Sequence, residues 1–168
     1  MIISVGYRVN SVTGIKFRNW AIRCKRIINI KNNYKPQEFK NLHFFDVEFY
    51  DAYTLIQSIL ENAKNEIIII DNYVDRSILD RLVVKKHNVQ VKIYTSIDTR
   101  LLGRDINTFN SQYGGLDVRY TTTVHDRYII IDQNKIYHLG HSIKDLGKKI
   151  FSISESDSNL ISKLLSNI

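Results

Sequence analysis

Apolar and polar positions along the chain keep two different rhythms, and the change falls near residue 42. The opening stretch "MIISVGYRVNSVTGIKFRNWAIRCKRIINI" reads as two helical pieces broken around residues 10–14, a cluster of turn formers. In the second piece Phe17, Trp20, Ala21 and Cys24 fall at i, i+3, i+4 and i+7, which makes one apolar stripe. Arg18, Arg23, Lys25 and Arg26 lie mostly off that stripe. The polar segment "KNNYKPQEFKN" (31–41) holds the one proline of the chain and reads as a linker.

Beyond it, short apolar runs alternate with helical patterns. "HFFDVEF" (43–49) alternates as a strand does. In "DAYTLIQSILENAKN" the residues Tyr53, Ile56, Leu60 and Ala63 keep helical spacing, with Asp51 placed as a cap. "EIIIID" (66–71) is a continuous apolar run, the pattern of a strand buried on both faces. "DRSILDRLVVKK" predicts a helix capped by Asp75, "VQVKIYT" a strand, and "RDINTFNSQYGG" a helix ended by two glycines. "LDVRYTT", "RYIIID", "KIYHLG" and "KIFSIS" predict four more strands, the second and third of them joined at "QNK", and "SDSNLISKLLSNI" a closing helix. Strands alternating with helices, then a run of strands, predict an α/β fold with a mixed β-sheet flanked by helices. The expected organisation is a short basic helical extension over residues 1–35, a linker over 36–42 and a domain over 43–168.

Composition narrows the picture. Of the 168 residues 43% are apolar and 24% charged, which suits a globular chain with a core rather than a disordered one. Cys24 is the sole cysteine, so no internal disulfide forms, and a reducing, cytoplasmic setting is expected. No apolar run approaches the roughly 18 residues of a transmembrane helix, and no signal-peptide pattern opens the chain. The net charge of +7 is unevenly placed: residues 1–49 hold nine Lys/Arg against three Asp/Glu, and the remainder is almost neutral. Such a patch fits a polyanion, either nucleic acid or an anionic membrane surface, with Arg8, Lys16, Arg18, Arg23, Lys25 and Arg26 as its contacts. A solvated basic helix is the plainer alternative.

The chemistry-bearing stretch is "HDRYIIID" (125–132). On a strand, His125 and Arg127 share a face and reach toward one phosphate. "DNYVD" (71–75) ends a buried strand, where α/β sheets gather ligand contacts, so Asp71 and Asn72 join the candidates. His138 alternates out of phase with the buried positions and reads as a packing or surface residue, while His43 and His87 have no partners at metal-ligand spacing, and no metal site is expected.

"HDRYIIID" followed by "YHLGHSIKD", together with "YDAYTLIQSIL", "EIIIIDNYVD", "VKIYT" and "LGHSIKDLGKKIFSIS", resembles the C-terminal phospholipase D-like domain of phage and mobile-element proteins related to the virulence RhuM family. The likeness spans roughly residues 44 to 155. "MIISVGYRVNS" with "GIKFRNWA" looks like the closing part of the RhuM-type DNA-binding region, shortened at its start.

The resemblance implies a metal-independent phosphodiesterase, most simply a nuclease acting on DNA through a phosphohistidine, with no cofactor. In that reading His125 takes the nucleophile position. Arg127 stands where the family has lysine, and Asp132 takes the aspartate position. In the following turn Ser142 matches the family's serine, Lys144 stands where asparagine would be, and His141 is inserted before Ser142. Ser142 and Lys144, with Asp71 and Asn72, are the expected phosphate contacts. One motif makes half of a two-histidine site, which implies a homodimer. Arginine keeps the charge but changes its shape, so a non-catalytic module that recognises phosphate on nucleic acid or anionic lipid is the rival. Plainer roles stand beside these: a structural histidine, an Arg127–carboxylate ion pair, or Asp132 opening the "DQN" turn.

Overall fold

Glu66–Ile70 (β2) carries four isoleucines in a row, and all four are buried, as befits a strand in the interior of the sheet. The computed structural model describes residues 42–44, 49–146 and 151–168. The extension over 1–35, the linker up to residue 41 and the candidate contacts Arg8, Lys16, Arg18, Arg23, Lys25 and Arg26 lie outside the described residues.

In chain order the elements are β1 (Leu42–Phe44), α1 (Phe49–Glu61), β2, α2 (Ser77–Leu82), β3 (Gln90–Thr95), α3 (Gly103–Gln112), β4 (Leu116–Tyr120), β5 (Arg127–Ile131), β6 (Lys135–Leu139), β7 (Phe151–Ser156) and α4 (Asn159–Leu165). A 3₁₀ turn, Ile143–Asp145, follows β6. The strands form one sheet in the order β1-β7-β6-β5-β2-β3-β4. β2, β3 and β4 run parallel to one another, and every other pairing, β2 with β5 included, is antiparallel. This is the mixed sheet with helices that the alternation of patterns predicts.

Both faces of the sheet centre are buried. On one, Ile68, Ile70, Val124, Ile130, Ile136 and Ile161 form a cluster against which Tyr94, Tyr128 and the leucines of α4 pack. Ile67, Ile69 and Ile129 point to the other face and are equally inaccessible. A strand buried twice over has no room for polar residues, hence the unbroken apolar run.

Three local expectations shift. α1 begins at Phe49, so that residue leaves the predicted strand and Asp51 sits in the helix's first turn rather than at its cap. There its charge still complements the helix dipole. α2 stops at Leu82 although the helical pattern continues to Lys86. Past Leu82 the backbone closes a turn, Lys85 N donating to Leu82 O at 3.0 Å, and the buried Lys85 side chain donates from Nζ to the Tyr113 carbonyl at 3.2 Å. Asp75 acts just ahead of α2, accepting from Ser77 N at 2.9 Å and, through its carbonyl, from Ile78 N at 3.1 Å. None of the described helices is long and apolar enough to cross a membrane.

Candidate functional site

Where β2 ends, its next residue is an aspartate with no solvent exposure at all. Asp71 Oδ2 accepts from Ser142 Oγ at 2.7 Å and from Ile143 N at 2.8 Å, and Oδ1 accepts from Tyr73 N at 2.9 Å. A carboxylate removed from water is tolerated only when its lone pairs are taken up, and here three donors do so. One side chain thereby ties the end of β2 to the turn that follows β6.

That turn carries Lys144. Gly140 opens it, and a side chain there would collide with Ser152 Oγ, so glycine lets the β6–turn segment pass close to β7. Gly140 N also donates to Ser152 O at 2.9 Å. Ser142 and Ile143 are buried against Asp71, while Lys144 is half-exposed.

Arg127 is the first residue of β5 and pairs with Leu139. Because Ile70 pairs with Tyr128, Asp71 and Arg127 occupy the next row across the sheet and share a face. The Arg127 guanidinium carbon lies 5.4 Å from the centre of the Tyr73 ring, and Lys144 Nζ lies 5.2 Å from the same point. Both distances fall within cation–π range. Arg127 Nε is buried and donates to no acceptor. An unmet buried donor costs about 1–3 kcal/mol, which an incoming oxyanion would relieve.

His125 is exposed and lies two residues before the start of β5, so it is not part of the strand as its spacing suggested. Its position is nonetheless held. Val124 is buried in the core, and its carbonyl accepts from Asn72 Nδ2 at 2.5 Å. The structure thus places His125, Arg127, Asp71, Asn72, Ser142 and Lys144 at one end of the sheet, beyond the carboxyl ends of the parallel strands. This is where α/β sheets gather ligands.

Asp132 is not brought to this place. It follows the last residue of β5, and a five-residue strand separates it from His125 by on the order of 20 Å. Its carboxylate accepts from the backbone N–H groups of Lys64, Asn65 and Glu66 at 2.7–3.2 Å, pinning the α1–β2 connection. Asp132 and Gln133 both have positive φ, 52° and 51°, and form the tight β5–β6 turn, which therefore starts one residue earlier than "QNK". A catalytic role for Asp132 beside His125 is thus corrected to an anchoring one. Burial by itself would raise its carboxyl group, but the three N–H donors outweigh that and hold it below its ordinary 3.8. A depressed folded value stabilises the fold above the unfolded value, and that stabilisation is lost as pH falls through the folded one. Asp132→Asn is therefore expected to lower stability at neutral pH and to flatten the acid limb between pH 5 and 2. Denaturant unfolding across that range checks it, and an unchanged acid limb would contradict the anchor.

A groove of about 480 Å³, lined by Glu66, Gln90, Lys92, Asn110, Gly115 and Asp117, opens at the amino ends of β2 and β3, the end of the sheet away from His125. The Glu66–Lys92 ion pair, 2.7 Å long, crosses it. Among the described residues no group of three His, Cys, Asp or Glu side chains is placed to hold a metal. Half-buried His138 packs at 5.3 Å from the Tyr128 ring, and His43 and His87 are exposed. The site residue missed in the sequence is Tyr73. It lies inside "DNYVD", and its signal was an aromatic just past the end of a buried strand.

No protein-family model and no curated protein matches the chain. Solved structures do. NucT from Helicobacter pylori superposes with a TM-score of 0.58 at 17% identity, over 77% of this chain and 92% of that one. Nuc from Salmonella typhimurium, a phospholipase D family member, gives 0.57 at 20% identity, over 76% and 90%. The polyphosphate kinase of Porphyromonas gingivalis gives 0.54 at 12% identity, over 85% of this chain and 25% of the kinase. The seven-stranded mixed sheet with its flanking helices is the phospholipase D-like fold.

Proposed function

We propose that this chain is a metal-independent phosphodiesterase of the phospholipase D-like type, acting on DNA through a phosphohistidine. The observation that carries the reading is the gathering of Arg127 and Lys144 about the Tyr73 ring at the end of the sheet where exposed His125 precedes β5. A nucleophile with two cations near it is what in-line displacement at phosphorus requires.

In the first step an imidazole nitrogen of His125 attacks phosphorus, a P–N bond forms and the bond to the leaving oxygen breaks. A second histidine gives that oxygen its proton. Water then attacks the phosphohistidine, the P–N bond breaks, and the second histidine takes the water's proton. Arg127 and Lys144 hold the nonbridging oxygens while negative charge builds on them. The chain carries one such motif, so the second histidine is assigned to another copy of the protein, with two His125 side chains facing across a dimer. The sequence likeness to RhuM-type mobile-element proteins and the basic residues 1–49 support DNA as the polyanion.

A second reading, a phosphate-binding module without hydrolysis, is favoured by one observation. Arg127 replaces the family's lysine, and its planar fork grips phosphate well while presenting its charge differently. The experiment that separates them incubates wild type and Arg127→Lys with a chromogenic phosphodiester and with supercoiled plasmid in excess EDTA. Light scattering is run on the same samples. The expected outcome is chelator-resistant cleavage by a dimeric wild type, changed several-fold in Arg127→Lys. Phosphate binding with no cleavage by either protein selects the module, and cleavage that EDTA abolishes removes the phosphohistidine reading.

A further inference from the structure

We propose that Tyr73 is the positioning residue of this site: its ring gathers Arg127 and Lys144 so that a single phosphate is gripped by both. The inference rests on the reading of the site as one that takes a phosphate group, and it adds a residue and a role that the motif does not contain.

The three side chains come from separate parts of the chain, the end of β2, the start of β5 and the turn after β6. They meet at one ring. The guanidinium lies 5.4 Å and the ammonium 5.2 Å from its centre, so the two charges are no farther apart than the sum of those distances. Like charges do not collect without a cause, and neither cation makes an ion pair with a carboxylate among the described residues. The negative face of an aromatic ring attracts both.

The ring is 54% exposed, so burial does not fix it. The backbone does. Tyr73 N and Ile143 N, the residue before Lys144, donate to the two oxygens of the same Asp71 carboxylate. One buried group therefore sets the starting points of both the ring and the lysine. Arg127 stands across from Asp71 in the same row of the sheet, with its Nε–H unmet. A ring in that place holds two long, flexible side chains near the geometry a phosphate needs, which cuts the ordering they must undergo on binding. Alone, an arginine and a lysine would each spread over many rotamers.

The test uses the full chain, inorganic phosphate as the probe, and titration followed by NMR, with Tyr73→Phe and Tyr73→Leu. Phenylalanine keeps the ring face and is expected to bind phosphate within about two-fold of wild type. Leucine removes it and is expected to weaken binding roughly ten-fold, from the loss of two cation–π contacts. The upfield ring-current shifts of the Lys144 and Arg127 methylenes should persist in Tyr73→Phe and vanish in Tyr73→Leu, with melting temperatures unchanged in both. Leucine binding as tightly as wild type overturns the proposal, and so does phenylalanine binding as weakly as leucine. A melting temperature that falls in step with affinity assigns the ring a structural role and also overturns it. A wild type that binds no phosphate removes the reading of the site itself, and the role of Tyr73 goes with it.

Discussion

Replacing His125 by alanine is expected to lower chelator-resistant cleavage by at least about four orders of magnitude, the scale on which enzymes lose activity with their nucleophile. The same substitution should leave stability within about 0.5 kcal/mol, because the side chain is exposed and no packing is removed. That contrast is what makes the variant informative. The neighbouring groups that hold the position, buried Val124 and the Asn72 amide on its carbonyl, are untouched by the change. Burst kinetics on a chromogenic diester in EDTA, beside a thermal melt, read both quantities. A variant that folds normally and still cleaves would show that the nucleophile lies elsewhere. Phosphate affinity should fall little in His125→Ala, since the proposed grip rests on Arg127 and Lys144.

Asp71→Ala is expected to have the largest effect on the fold. Asp71 is fully buried and takes three donors, Ser142 Oγ, Ile143 N and Tyr73 N. Truncating it leaves all three without their acceptor, Ser142 Oγ and Ile143 N in a buried place and Tyr73 N in a part-buried one. At about 1–3 kcal/mol for each unmet group, less some relaxation, the loss is roughly 3–5 kcal/mol, a large share of a domain's typical 5–15. A melting temperature lower by about 10–15 °C follows for a chain of this size. Asp71→Asn keeps one acceptor oxygen but turns an amide toward a remaining N–H, and should lie between alanine and wild type. Denaturant unfolding of the three proteins measures the order. An alanine variant as stable as wild type would mean that Asp71 does not join β2 to the turn after β6.

How far the site could be read in advance depends on what each residue type betrays. "EIIII" announced a strand buried on both faces because nothing but apolar side chains survives there, and the structure places it inside the sheet, between β5 and β3. Asp71 and Asn72 were legible for a related reason: polar residues directly after such a run sit at the strand's end, where ligands gather. His125 and Arg127 stood out by spacing, though His125 lies before the strand rather than on it. Tyr73 was not legible, because an exposed tyrosine in a turn looks like any surface residue until two cations from distant segments are seen beside it. Asp132 misled for the opposite reason. Its place in a recognised motif suggested nearness to His125, while a strand rising about 3.3 Å per residue carries it to the other end of the sheet. The early end of α2 was hidden as well, since Val83, Val84 and Lys85 continue a helical pattern, and the contact of Lys85 with the distant Tyr113 carbonyl leaves no mark in the sequence.

One edge of the sheet bears on assembly. Among the described residues β4 has a neighbour on one side only, and along it Asp117, Arg119 and Tyr120 are exposed, with Asp117 and Arg119 joined by an ion pair of 2.8 Å. Charged side chains on a bare edge discourage another strand from adding to it, since each newcomer would have to bury or displace them. A second copy of the protein is thereby steered away from lengthening the sheet through β4. The dimer proposed for the two-histidine site would then have to form away from β4, and an end-on approach of the two sheets is one that would bring each histidine to the seam.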